Sequence, residues 1–232
     1  MISMIIPVLN EASTIVLLLN DIYNKASLQN ISEIIIVDGG SNDNTLALAK
    51  TFSEKLPLVF LTSEKGRAKQ MNLGAQNASG NIFYFLHADT LLPNKFDHQI
   101  IYEIKKGNPA GCFRMKFDSS HPILKLSQWF TRFNFKSCRG GDQTLFVTKE
   151  IFEKLNGYNE AFTIYEDCEF INRIYDNFCF IVIKDYVITS ARRYKNKGTL
   201  KLQYHFCIIH LKKWLGASPT ILSSYYQKHI TP

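Results

Sequence analysis

Cysteine is scarce and unpatterned in this chain of 232 residues: the five, Cys112, Cys138, Cys168, Cys179 and Cys207, are odd in number, scattered, and form no Cys-x-x-Cys pair. Neither a disulfide framework nor a cysteine zinc site is indicated, and a reducing, cytoplasmic setting fits best. Long hydrophobic runs are missing too. No stretch reaches the roughly 18 uncharged apolar residues that a membrane-spanning helix needs, so a soluble or peripheral protein is expected. The opening MISMIIPVLNEAS has no basic n-region or long apolar h-region, because Pro7 and Glu11 interrupt it early; it reads as a first β-strand rather than a signal peptide. Repeats and low-complexity linkers are absent, which makes one domain the simplest organisation.

What is present is an ordinary globular composition, 46% apolar and 13% aromatic, enough to fill a sizeable core. The net charge is +7 and the pI about 9.1. Such a balance favours an anionic partner, whether nucleic acid, a lipid surface or a phosphorylated small molecule.

The first hundred residues alternate between two periodicities. SMIIPV is a short apolar run; Ile15, Leu18, Leu19 and Ile22 then fall at helical spacing; EIIIVD follows as a second β-branched run. LVFLTS (58–63), a helical stretch near 66–79 and NIFYFLHAD (81–89) repeat the alternation. Near-continuously apolar strands separated by helices imply a Rossmann-like α/β unit, a mostly parallel sheet covered on both faces. Ligands of such sheets bind outside the carboxyl ends of the strands. Here those ends carry Asn10 and Glu11, Asp38 with GGSNDNT, and His87 to Asp89.

The second half is less regular. GCFRMKF (111–117) and DQTLFVT (142–148) read as strands, EDCEFINRIYDNF (166–178) as a helix, and FIVIKDYVITSARR (180–193) as one or two strands extending the sheet. From Thr199 the tail looks helical, with Leu200, Tyr204, Ile208, Leu211 and Leu215 on one stripe. The expected division is a nucleotide-binding half (1–92), an acceptor half (93–198) and a C-terminal helical extension (199–232). That extension is expected to pack on the domain, on a dimer partner or on a membrane surface.

Several stretches carry residues suited to chemistry. Gly66 opens a helix bearing Arg67, Lys69, Gln70 and Asn72, and a helix N-terminus with added cations attracts phosphate. A solvated basic face explains the same residues without a ligand. Asp89 can serve as a helix-preceding cap, or as the one carboxylate that a Mg²⁺ or Mn²⁺ ion needs when phosphates supply its other ligands. His87, two residues earlier on the same strand face, can ligate Mn²⁺, orient Asp89 or serve structure alone. In YEDCEF, Asp167 shares the inward stripe of Phe170, Ile171 and Ile174, whereas Glu166 points about a hundred degrees away. An inward carboxylate facing a cleft is a candidate general base. Asp142 and Gln143 can hydrogen-bond hydroxyls, and Arg192 with Arg193 can clamp a diphosphate.

Taken together, IIPVLNEA, IIIVDGGSNDNT, GRAKQMNLGA, FLHADT, GDQTLF, YEDCEF and TSARR resemble glycosyltransferase family two, with the GT-A fold. Within it the chain is most similar to the small bacterial arsenosugar-biosynthesis-like subgroup. The resemblance runs from Ile2 to about Arg193. It implies an inverting, metal-assisted transfer of a sugar from a nucleotide diphosphate sugar, UDP-sugars favoured, to an acceptor whose identity the sequence does not give. By position, Pro7, Glu11 and Asp38 would hold the nucleoside with Arg67 and Gln70 nearby. Asp89 would match the last aspartate of the Asp-x-Asp metal motif, with His87 in place of the first, and Asp167 the catalytic base.

Two other classes compete. A nucleic-acid-binding protein is suggested by the pI and by Trp129, Arg132 and Phe133, but leaves Asp38, Asp89 and Asp167 unexplained. A nucleotidyltransferase on a similar fold would carry a Gly-rich basic loop where this chain has NEAS. The expectation is therefore no nucleic acid, and a cytoplasmic enzyme whose helical tail can contact the inner face of a membrane or a second copy.

Overall fold

A computed structural model describes residues 1–231. In chain order the elements are β1 (Ile2–Val8), α1 (Ile15–Lys25), β2 (Ile31–Asp38), α2 (Thr45–Lys50), β3 (Leu58–Thr62), α3 (Arg67–Gln76), β4 (Ile82–Phe85), β5 (Thr90–Leu91), α4 (Phe96–Lys105), β6 (Ala110–Phe117), α5 (Pro122–Phe130), β7 (Leu145–Thr148), α6 (Lys149–Lys154), α7 (Glu166–Asn177), β8 (Phe180–Thr189), α8 (Arg192–Lys197), α9 (Thr199–Trp214) and α10 (Pro219–His229).

The strands form one mixed sheet in the order β3-β2-β1-β4-β7-β6-β8-β5. β1 is buried along its whole length, which is why its sequence is apolar without alternation. Its even residues, Ile2, Met4, Ile6 and Val8, pack with α1 and α4 side chains in one core, while Ile5 joins Val37, Met71 and Phe170 in the core on the other face. β1 pairs in parallel with β2 on one side and β4 on the other. The chain order thus reverses between β1 and β4, the kind of position at which α/β sheets open a crevice. β7 then joins β4 antiparallel.

α1 buries Ile15, Leu18, Leu19 and Ile22, and α7 buries Phe170, Ile171 and Ile174, as their spacing predicts. Three boundaries differ from expectation. β4 stops at Phe85, so His87 and Asp89 lie in the following loop and strand alternation does not orient them. Asp142 and Gln143 sit in a 3-10 turn before β7 rather than in the strand. β8 is one strand ending at Thr189, and Arg192 and Arg193 open α8.

The tail departs most. α9 and α10 build a small core in which Leu202, Ile209, Leu222 and Ile230 pack with Phe162; α10 starts on a Ser218 cap followed by Pro219. The stripe does not pack on the domain: Leu200, Tyr204, Leu211 and Leu215 are exposed and Ile208 is half-buried. The reason is that α9 has two apolar faces, and periodicity alone does not say which one meets the domain.

Candidate active site

A large open cleft lies beyond the carboxyl ends of β1 and β4. Its walls include Pro7, Glu11, Arg67, Gln70, His87 and Asp89 from the first half of the chain, and Asp142, Gln143, Asp167, Arg192 and Arg193 from the second. Among the expected site residues, Asp38 is the exception. It is buried, and both carboxylate oxygens accept the Ser41 N–H at 3.0 and 3.1 Å, with the Ser41 hydroxyl donating at 2.5 Å. The carboxylate at the end of β2 thus closes the GGS turn instead of facing the cleft.

The acidic end of α7 organises the site. Asp167 is nearly buried, and its Oδ2 lies 3.7 Å from His87 Nε2. The approach leaves no room opposite: a Cβ on Gly141 would sit 2.0 Å from Asp167 Oδ2 and 2.9 Å from His87 Nε2. Burial and the Arg67 charge push the His87 imidazole down, but its contact with Asp167 and the charge of Asp142 outweigh them and hold its pKa up. Glu166, expected to point elsewhere, is buried as well, with Oε1 3.8 Å from Arg67 Nη1. Its carboxyl is pushed up to about 7, first by burial and then by Asp167, with Arg67 opposing. Direction on a helical wheel showed where Glu166 points, but not that Arg67 of α3 lies there.

Asp89 accepts no hydrogen bond and joins no ion pair among the described residues. Burial raises its pKa, and the charges of Asp142 and Glu11 add to that against His87 and Arg67. Gly66 adopts φ +145° at the start of α3, backbone that favours glycine. Of the polar residues that follow, Lys69 pairs with Glu64, and Asn72 is bonded to the backbone of Tyr158. Gln70 is buried, donating to the carbonyls of Val8 and Val37 at 2.9 and 2.7 Å, so it ties β1 to β2 while lining the cleft.

On the far wall Arg192 reaches back to the first half of the chain: its Nη2 lies 3.2 Å from Glu11 Oε2 and its Nη1 donates to Ser13 Oγ at 2.9 Å. Arg193 forms no ion pair among the described residues. Asp142 is exposed, but Gln143 is buried with both ends engaged, accepting from Arg139 and donating to the Cys138 carbonyl at 2.6 Å. Arg139 in turn donates to the Thr131 and Phe133 carbonyls, which fixes the loop after α5. That loop and helix carry an aromatic wall the sequence reading did not assign to the site: Trp129 and Phe133 stand edge to face at 4.8 Å, with Phe130 and Phe135 beside them in the cleft lining. The i, i+4 aromatic pair Trp129 and Phe133 was the available signal.

The sequence pattern of the family described as glycosyl transferase family 2 matches residues 3–175. An uncharacterized glycosyltransferase of Rickettsia conorii is 27% identical over 227 residues, covering 88% of this chain and 36% of the relative. The match covers about a third of the length of this relative, of Haloferax volcanii AglE and of the Pyrococcus furiosus dolichol-phosphate mannosyltransferase. Among solved structures, Staphylococcus aureus TarS (residues 1–349) in complex with UDP superimposes with a TM-score of 0.71 at 18% identity, covering 82% of this chain and 60% of that one. The Pyrobaculum calidifontis mannosyltransferase in complex with GDP-Man and Mn²⁺ gives 0.72 at 19% identity, covering 97% and 69%. The fold is that of the GT-A glycosyltransferases.

Proposed function

The chain belongs to glycosyl transferase family 2, and from that premise we propose that its cleft transfers a sugar from a nucleotide diphosphate sugar to an acceptor nucleophile, with inversion at the anomeric carbon. The observation that carries this reading is the gathering, in one cleft, of the unpaired carboxylate Asp89, the near-buried carboxylate Asp167 and the guanidiniums Arg67, Arg192 and Arg193.

In this mechanism Asp167 takes the acceptor proton as the acceptor oxygen attacks the anomeric carbon. The sugar–phosphate bond breaks, and the electron pair leaves on the diphosphate. Arg67, Arg192 and Arg193 meet the charge that grows there, where a low-dielectric site makes each contact count most. His87, its Nε2 turned to Asp167, orients the base rather than serving a metal. Mn²⁺ or Mg²⁺ would be held by Asp89 and, when bound, would neutralise part of the diphosphate charge. The residues fit such an ion: a hard cation accepts a single protein carboxylate plus phosphate oxygens, and among the described residues no group of three or more His, Cys, Asp and Glu forms a complete cage. The aromatic wall of Trp129, Phe130 and Phe133 supports an acceptor with a flat or apolar face.

A UDP-sugar is the favoured donor, the nucleotide bound by the staphylococcal neighbour. Within the family we propose the arsenosugar-biosynthesis-like subgroup, which the HAD of FLHADT supports. The deciding experiment is a thermal-shift series with UDP-, GDP-, CDP- and dTDP-sugars, with and without Mn²⁺, followed by turnover of wild type and Asp167→Asn. One donor should raise Tm by mass action, and Asp167→Asn should keep that rise while losing at least about 100-fold in turnover. Full turnover in that variant, or no nucleotide effect on Tm, overturns the proposal.

A further inference from the structure

We propose that the outward face of α9 docks this chain on an anionic lipid bilayer. Leu200, Tyr204, Leu211, Trp214 and Leu215 are 70, 62, 48, 81 and 70% exposed. At 100° per residue all five fall within an arc of about 100° of the helix surface. The opposite face, Leu202 and Ile209, is already buried in the small core with α10. Apolar side chains scattered singly over a surface need no explanation; a continuous stripe of five does.

Charge selects the occupant. From Tyr194 to Pro232, beyond the two arginines that line the cleft, the sequence holds six Lys and no Asp or Glu, whereas the remainder holds 21 Lys and Arg against 20 Asp and Glu. Six of the seven net positive charges therefore lie in the segment that carries the stripe. Lys201 is exposed near the stripe, while Lys212 and Lys213 turn toward the domain, their ammonium groups over the rings of Tyr225 and Phe162. An apolar ridge that carries an indole and a phenol, with Lys201 beside it, in a segment whose charge is wholly positive, matches an interface whose interior is hydrocarbon and whose surface is anionic.

A second copy meeting the same face would bring two such cationic segments together, a repulsive arrangement. A nucleic acid would satisfy the lysines and stack on aromatics but leave Leu200, Leu211 and Leu215 in water. The lipid surface satisfies both halves. At 16 residues α9 lies on a bilayer and does not cross it, and none of the described helices is long and apolar enough to do so.

The stripe residues do not line the cleft, so docking and chemistry are separable. The test is flotation of the full chain with phosphatidylcholine vesicles, alone or mixed with phosphatidylglycerol, at low and high salt. Wild type should float with the anionic vesicles and less with the neutral ones. Lys201→Gln should weaken the affinity about fivefold, and the Leu211→Ser/Trp214→Ser/Leu215→Ser triple variant by tenfold or more, about what losing one fully immersed side chain removes. Circular dichroism melting confirms that both variants fold, and nucleotide-induced Tm shifts in the same samples report on the cleft alone. Wild type that fails to float, a triple variant that floats unchanged, or stripe-dependent dimers or RNA binding in place of vesicle binding overturns the proposal.

Discussion

A Cβ placed on Gly141 would stand 2.0 Å from Asp167 Oδ2 and 2.6 Å from its Cγ, so the position of the proposed base depends on the absence of a side chain across the cleft. The glycine sits in a 3-10 turn at ordinary φ, outside the left-handed region. Alanine there costs little in backbone conformation and acts on the carboxylate instead. Gly141→Ala should therefore lower kcat on the order of 100-fold, the scale of a 1 Å misplacement, with the donor KM changed far less. Steady-state kinetics over a range of donor concentrations checks this; an unchanged kcat removes Asp167 from the chemistry.

Glu166 gives the protein a pH dependence of predictable sign. Its carboxyl is pushed up to about 7 by burial and by Asp167, from an ordinary 4.5. The folded state therefore binds more protons than the unfolded chain between those values. The stabilisation is full below about 4.5 and is lost as pH rises through 7, amounting to ~3 kcal/mol by linkage. Urea denaturation at pH 5 and pH 8 should show wild type losing more stability than Glu166→Gln over that interval, by an amount of this order. A parallel loss in the two proteins overturns the assignment.

Legibility divided along physical lines. β1 and β2 were readable as continuous apolar runs because both faces are buried, and α1 and α7 because one buried face imposes a period, which Ile15 to Ile22 and Phe170 to Ile174 show directly. The rim of polar strand ends followed from the parallel sheet, and it brought Glu11 and Asp89 to one cleft, which Asp167 enters from the start of α7. What the period could not carry was the partner of each polar group. Asp38 is hydrogen-bonded by Ser41 three residues on, while Glu166 faces Arg67, nearly a hundred residues earlier, at 3.8 Å and His87 faces Asp167 at 3.7 Å. α9 has two apolar faces, and its burial was settled by where Phe162 and α10 lie.

Arg192 pairs with Glu11 at 3.2 Å and is half exposed. A surface pair of this kind contributes about 0–1 kcal/mol to stability, but the guanidinium is free to exchange Glu11 for a diphosphate. Arg192→Ala should accordingly leave the urea midpoint nearly unchanged and raise the donor KM by about 10- to 100-fold, the range for losing a charge-assisted hydrogen bond. Isothermal titration with the nucleoside diphosphate tests the same point without turnover. Undiminished affinity would assign the leaving-group contact to Arg193 and Arg67.

His87 and Asp89 are two residues apart, yet the geometry gives them different work. His87 Nε2 is 3.7 Å from Asp167, while the Asp89 carboxylate has no protein partner among the described residues and has its pKa raised chiefly by burial. A carboxylate so placed gains most from a cation, and the gain grows as pH rises through its raised pKa and the group ionises. Asp89→Asn should therefore abolish the part of the donor-induced Tm shift that depends on Mn²⁺ and is reversed by chelator. His87→Gln should keep that shift intact and lower kcat by at least about tenfold, because the base loses its orienting partner. If His87→Gln instead removes the Mn²⁺ response while kcat at saturating metal is preserved, the imidazole is a ligand. In that case the His-x-Asp pair acts in full as the counterpart of the two-aspartate motif.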